Sequence, residues 1–166
     1  MEYTQIAPLA QKLKENIGTV IVGKDDQIGL ILTAMLSGGH ILLEDVPGTG
    51  KTTLTKALAK SLSCGFSRIQ FTPDLLPADI TGMRVYSQQT GEFSFIKGPA
   101  FTNILLSDEI NRATPRTQSA LLECMEERQI TEGGVTYALE EPFLVIATQN
   151  PTGAAGTQLL PDSQMD

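Results

Sequence analysis

The chain has 166 residues, a formal net charge of −7 and 41% hydrophobic residues. That length suits one domain with a sizeable core, the acidic balance argues against nucleic acid as the main ligand, and no apolar run approaches the length of a bilayer span. The first residues, Met1-Glu2-Tyr3-Thr4-Gln5, lack the basic and apolar regions of a signal peptide, and Cys64 and Cys124 have no metal-like spacing. The expectation is a cytoplasmic protein with reduced thiols and no membrane insertion.

Apolar residues at Ile6, Leu9, Ala10, Leu13 and Ile17 form the stripe of an amphipathic helix, which Gly18 stops. Val20-Ile21-Val22-Gly23-Lys24 reads as a short connector. A second helix is expected from Asp25 to Ser37, with Asp25 and Asp26 in the first turn, where the helix dipole favours acid, and Gly38-Gly39 beyond its end. His40, the only histidine, has no Cys or carboxylate cluster beside it and reads as structural.

Ile41-Leu42-Leu43 is a buried strand. It leads through Glu44 into Asp45-Val46-Pro47-Gly48-Thr49-Gly50-Lys51-Thr52 and then Thr53-Leu54-Thr55-Lys56-Ala57-Leu58-Ala59, a good helix former over roughly 51–63. Glycines 48 and 50 leave backbone N–H groups free to turn inward, and the helix start adds partial positive charge, so the loop is a phosphate cradle. Lys51 would reach the β- and γ-phosphates and the Thr52 hydroxyl would ligate Mg²⁺. The usual pattern opens with Gly; here Asp45 holds that place, and Asp tolerates turn conformations.

Arg68-Ile69-Gln70-Phe71 reads as a strand, and residues 72–82, with Pro73 and Pro77, as an irregular connection. Residues 83–87 and 92–96 alternate on either side of Gln88-Gln89-Thr90-Gly91 and predict a β-hairpin. Residues 102–107 form a short buried strand ending at Asp108-Glu109. A helix starts near Thr114-Pro115 and runs to about Arg128, a second hairpin surrounds Gly133-Gly134, and residues 143–148 form the most apolar strand, ending at Gln149-Asn150. Strands alternating with helices predict a parallel sheet covered on both faces.

In such a sheet ligands gather at the carboxyl ends of the strands. Asp108 and Glu109 then share a rim with Lys51 and Thr52. Asp108 is suited to hold Mg²⁺, Glu109 to orient and deprotonate an attacking water, and the Asn150 amide to reach the γ-phosphate or that water.

These pieces resemble one family. Val22-Gly23-Lys24, Gly39-His40 to Thr52, Phe71-Thr72-Pro73-Asp74-Leu75-Leu76-Pro77, Asp108-Glu109-Ile110-Asn111-Arg112, Leu121 to Arg128 and Ala147-Thr148-Gln149-Asn150-Pro151 look like the MoxR branch of the AAA+ ATPases. The resemblance implies a three-layer αβα P-loop NTPase core with a parallel sheet and two β-hairpin insertions. It implies ATP and Mg²⁺ as cofactors, residues 45–52 with Thr53 as the Walker A loop, Asp108-Glu109 as Walker B, Asn150 as sensor 1, and Val22-Gly23 beside the adenine. Gln70 resembles the polar residue that can hold the Walker B glutamate inactive in some relatives. The hairpins resemble insertions that face a central pore or a partner surface. Arg112 and Arg116 keep two readings, contacts to a neighbouring subunit's nucleotide or surface residues at a helix start.

In MoxR-like proteins the segment resembling Leu160 to Asp166 runs on into an arginine finger, a fifth strand and a helical lid. The expectation is therefore that residues 1–166 are an incomplete motor core in which the strand of Ile41 lies beside that of Phe143 and would border the fifth strand. The family implies a hexameric ring in the full-length parent and a client or adaptor protein, for instance one with a von Willebrand factor A domain. Two rival functions share a P-loop. A nucleic-acid-remodelling motor of the helicase or clamp-loader kind conflicts with the acidic balance, and a small-molecule kinase conflicts with an Asp-Glu pair and Asn150 suited to water as nucleophile.

Overall fold

The computed structural model describes residues 3–44 and 50–150. In chain order these form α1 (Tyr3–Gly18), α2 (Asp25–Leu36), β1 (Ile41–Glu44), α3 (Lys51–Leu62), β2 (Phe66–Gln70), α4 (Pro77–Thr81), β3 (Gly82–Ser87), β4 (Glu92–Lys97), β5 (Ile104–Asp108), a 3₁₀ turn (Ile110–Arg112), α5 (Pro115–Glu127), β6 (Gln129–Glu132), β7 (Val135–Ala138) and β8 (Leu144–Gln149).

Four strands make a parallel sheet in the order β1-β8-β5-β2. Alternate residues of each strand feed two cores. Ile104, Leu106, Leu144 and Ile146 pack with Ile28, Leu54 and Leu58 under α1, α2 and α3. Leu105, Val145 and Ala147 pack with Ile80, Leu121 and Phe143 under α4 and α5. Burial on both faces is why β5 and β8 read as unbroken apolar runs. Ile104, Leu105 and Leu106 are each 0% exposed, and each fully buried aliphatic side chain is worth about 1.5–3 kcal/mol. The result is a three-layer α/β fold with helices on both sides of the sheet. β1 lies beside β8, as expected, and β1 and β2 are the edges of the sheet among the described residues.

Both hairpins form, as the antiparallel pairs β3–β4 and β6–β7. They meet through Phe95, which stacks on Tyr137 with ring centroids 4.4 Å apart. The base of the first hairpin needs two glycines. Gly82 has a φ of 97°, and a Cβ there would strike the Ile96 carbonyl; a Cβ on Gly98 would strike the Ile80 carbonyl.

The stretch expected to be irregular contains α4. Pro77 occupies its first turn, where a missing N–H costs nothing, and the Asp79 carboxylate accepts from the Leu76 N–H at 2.9 Å. Leu9, assigned to the buried stripe of α1, is 46% exposed, whereas Ile17 at the other end of the helix is 1% exposed.

Candidate functional site at the carboxyl edge of the sheet

The sheet's register builds the site. Gln70 of β2 lies opposite Asp108 of β5, and Leu43 of β1 opposite Thr148 of β8. Since Leu106 and Ile146 point toward α3, strand alternation turns Asp108 and Thr148 toward the same side. Helix α3 starts on that side. Gly50 precedes it in the left-handed region, with φ 81°, and provides no side-chain cap. No acid occupies the first turn, so the helix start presents partial positive charge at this edge, which suits an anion. Lys51 and Thr52 at the start of α3 are half-buried and Thr53 is exposed. Asp45, Val46, Pro47, Gly48 and Thr49 lie outside the described residues.

At the end of β5 the chain turns sharply. Glu109 has φ 58° and ψ 47°, a left-handed conformation uncommon for a residue with a Cβ. Three hydrogen bonds hold this turn in place. The Glu109 N–H donates to Thr148 Oγ1 at 2.9 Å, the Arg112 N–H donates to the Glu109 carbonyl at 2.9 Å, and Arg112 Nη1 donates to Glu109 Oε2 at 2.9 Å. The following 3₁₀ turn is fixed from α5, where buried Gln118 donates from Nε2 to the Ile110 and Ala113 carbonyls, each at 3.1 Å.

The Glu109 carboxyl is held below its ordinary range. The Arg112 hydrogen bond is the main cause, partial burial opposes it, and a hydrogen bond from the Asn150 side chain and the charges of Arg112 and Lys51 add to the lowering. Lys51 and Asn150 thus both act on Glu109, although the three come from a helix start and two different strand ends. Asn150 is positioned by a reciprocal clamp: its N–H donates to Asn111 Oδ1 at 3.3 Å, and Asn111 Nδ2 donates to its carbonyl at 3.2 Å. Asp108 receives Arg68 Nε at 2.6 Å on Oδ2 and faces Thr148 Oγ1 at 3.4 Å on Oδ1.

The other candidates lie as follows. Gln70 accepts from Arg68 Nη2 at 3.3 Å and points along the row that contains Asp108. Arg112 is engaged with Glu109, and Arg116 is exposed on the first turn of α5. Val22 is exposed and Gly23 has φ 77° in the turn between α1 and α2; no described hydrogen bond joins them to the acids. His40 bridges α5 and β8. Its Nε2 donates to the Met125 carbonyl at 3.2 Å and its Nδ1 accepts the Val145 N–H at 3.0 Å, an arrangement of the neutral ring.

Arg68, Asn111 and Thr148 received no role from the sequence. The available signal for Arg68 was its place two residues before Gln70 on a strand, which puts both on one face.

A model of the ATPase family associated with various cellular activities matches residues 40–166. The protein YeaC of Bacillus subtilis is 55% identical over 159 residues, covering 96% of this chain and 50% of that protein. Chaperone MoxR1 of Mycobacterium tuberculosis is 50% identical over 147 residues, covering 89% of this chain and 39% of that protein. Among solved structures, a protein of Cytophaga hutchinsonii assigned as an ATPase superposes with a TM-score of 0.87 at 48% identity, covering 98% of this chain and 49% of its own. The chain therefore spans about half the length, or less, of the relatives it matches.

Proposed function

Since the chain belongs to the MoxR family of AAA+ ATPases, we propose that it binds ATP with Mg²⁺ and supplies the hydrolytic centre of a chaperone-like motor that remodels partner proteins. The carrying observation is the convergence of Lys51 and Asn150 on the Glu109 carboxylate at one sheet edge, where the Lys51 charge and the Asn150 side chain both favour its ionised form. A cation for the phosphates, an ionised carboxylate for the water and an amide to orient it are the parts that phosphoryl transfer to water requires.

The residues present suit a metal-bound triphosphate. The start of α3, with no side-chain cap among the described residues and Gly50 in the left-handed region, suits an anion at the sheet edge. The hard oxygens of Thr52 and Asp108 are the donors that would hold Mg²⁺. The ion would supply positive charge at the β- and γ-phosphate oxygens. Lys51 neutralises phosphate charge, Glu109 accepts a proton from water, and Asn150 orients that water; Asp45, Val46, Pro47, Gly48 and Thr49, read from the sequence as the phosphate loop, lie outside the described residues. Val22 and Gly23 would border the base.

On this reading residues 1–166 are the nucleotide-binding core. The whole protein works as a ring in the cytoplasm, where Arg112 or Arg116 reaches a neighbouring subunit, and the exposed hairpins meet a client or adaptor, such as one with a von Willebrand factor A domain. Both cysteines are free thiols, which suits a reducing compartment.

Phosphate release from ATP, measured on the protein over its full natural length, tests the reading. Glu109→Gln keeps the side chain's shape and loses the base, so turnover is expected to drop by about 10²–10⁴ while ATP still binds. Normal turnover in Glu109→Gln would contradict the assignment.

A further inference from the structure

Asp108 is the carboxylate assigned above to Mg²⁺, yet both its oxygens already have partners. Oδ2 takes the Arg68 Nε–H at 2.6 Å, and Oδ1 faces the Thr148 hydroxyl at 3.4 Å. Thr148 Oγ1 also accepts the Glu109 N–H, which leaves its own proton for Asp108. Arg68 is held by a second contact, from Nη2 to Gln70 Oε1 at 3.3 Å. This arrangement follows from the ladder. Arg68 and Gln70 lie on one face of β2, two residues apart, and Gln70 lies directly opposite Asp108. A guanidinium is always charged and presents its donors as a planar fork, so one group spans the carboxylate and the amide.

The two partners differ in freedom. The Arg68 side chain is 50% exposed and that of Asp108 is 13% exposed. β2 is an edge of the sheet among the described residues, so the arginine can swing into water while the aspartate stays where β5 puts it. A metal ion approaching Oδ2 meets a cation already on that oxygen, and repulsion between the two positive charges opposes holding both at close range.

We propose that Arg68 is the resident counter-ion of Asp108 and competes with the divalent cation for its carboxylate, so that Mg²⁺·nucleotide loading is coupled to release of Arg68. The inference rests on the nucleotide-site reading above. Arg68 is then a positioning residue: it keeps a mostly buried carboxylate paired and sets the Mg²⁺ concentration at which the site loads. Gln70 retains the arginine near the strand end, beside Asp108.

The test is a Mg²⁺ titration at fixed fluorescent ADP, carried out on wild type, Arg68→Met and Arg68→Lys. Met keeps most of the apolar stem and removes the charge. An ion pair with one half-exposed partner is worth up to about 1 kcal/mol, so half-saturation in Arg68→Met should fall to roughly one-half to one-fifth of the wild-type Mg²⁺ concentration. Arg68→Lys restores a competing cation and should return the midpoint toward wild type, an outcome that a merely structural role does not give. A second reading needs no variant: the Arg68 Nε–H resonance should move toward a solvent-exposed position on adding Mg²⁺·ADP, and stay in place with ADP and EDTA. An unchanged or raised Mg²⁺ midpoint in Arg68→Met, or an unmoved resonance, overturns the inference while leaving the nucleotide site intact. A wild type with no Mg²⁺-dependent ADP binding overturns the nucleotide reading itself.

Discussion

Arg112 Nη1 lies 2.9 Å from Glu109 Oε2, three residues along the same turn. The pair forms because Glu109 leaves β5 in a left-handed conformation and the 3₁₀ turn brings Arg112 back over it. The carboxylate assigned as base is therefore kept ionised and aimed by a neighbour in its own motif.

Removing that neighbour should shift the titration of Glu109. Its carboxyl lies below the ordinary 4.5, chiefly through the Arg112 hydrogen bond. A depressed carboxylate contributes stability that is present above its unfolded value and is lost as pH falls through the folded one. In Arg112→Gln the Glu109 midpoint, followed by carboxyl carbon resonance, should rise, and the pair's small contribution near neutral pH should disappear. A midpoint equal to that of wild type would show that Asn150 and Lys51 hold the carboxylate without Arg112.

His40 predicts a pH dependence of the opposite chemical type. Burial is the main influence on its ring and lowers its pKa below 6.5; the Met125 hydrogen bond opposes this, and the Arg128 charge adds to the lowering. The unfolded chain takes up a proton that the folded ring resists, so stability is complete above about 6.5 and declines as pH falls toward the folded value. His40→Ala removes both bridges between α5 and β8 and should cost about 1–3 kcal/mol at pH 7.5, read from urea midpoints. The difference between wild type and variant should shrink at pH 5.5. A constant difference would mean that the ring is not held neutral.

Ser107 offers a stabilising change. Its hydroxyl is fully buried on β5 and has no hydrogen-bond partner among the described residues. Burying an unpaired hydroxyl is unfavourable, so Ser107→Ala should raise the unfolding free energy by about 0.5–2 kcal/mol with the sheet unchanged. A loss of stability would reveal a partner for that hydroxyl.

The strands and hairpins were legible because each carries its own local signal. Ile104-Leu105-Leu106 and Leu144-Val145-Ile146 are apolar on every residue because both faces of the sheet are covered, and the segments around Gly91 and Gly133 alternate as half-exposed ribbons do. α4 was hidden because two prolines read as punctuation, although Pro77 at a helix start is an opening signal once the Asp79 bond to Leu76 is seen. The 3₁₀ turn depends on Gln118, eight residues after Ile110, and a local pattern does not carry that contact. The acids of the site were legible as strand ends. Their partners were not: the bond from Arg68 to Asp108 spans forty positions and follows from the β2–β5 register. The loop at 45–49, on which the phosphate reading leans most, lies outside the described residues.

The most direct test of the central claim is a calorimetric titration of the chain with ATP and Mg²⁺, beside Lys51→Ala. Lys51 is the side-chain cation at the start of α3, and losing a charge-assisted contact costs about 1.5–3 kcal/mol, a drop in affinity of roughly tenfold or more. Saturable binding by wild type that weakens to this extent in Lys51→Ala is the predicted result. No binding by wild type, or equal affinity in the variant, would contradict the account.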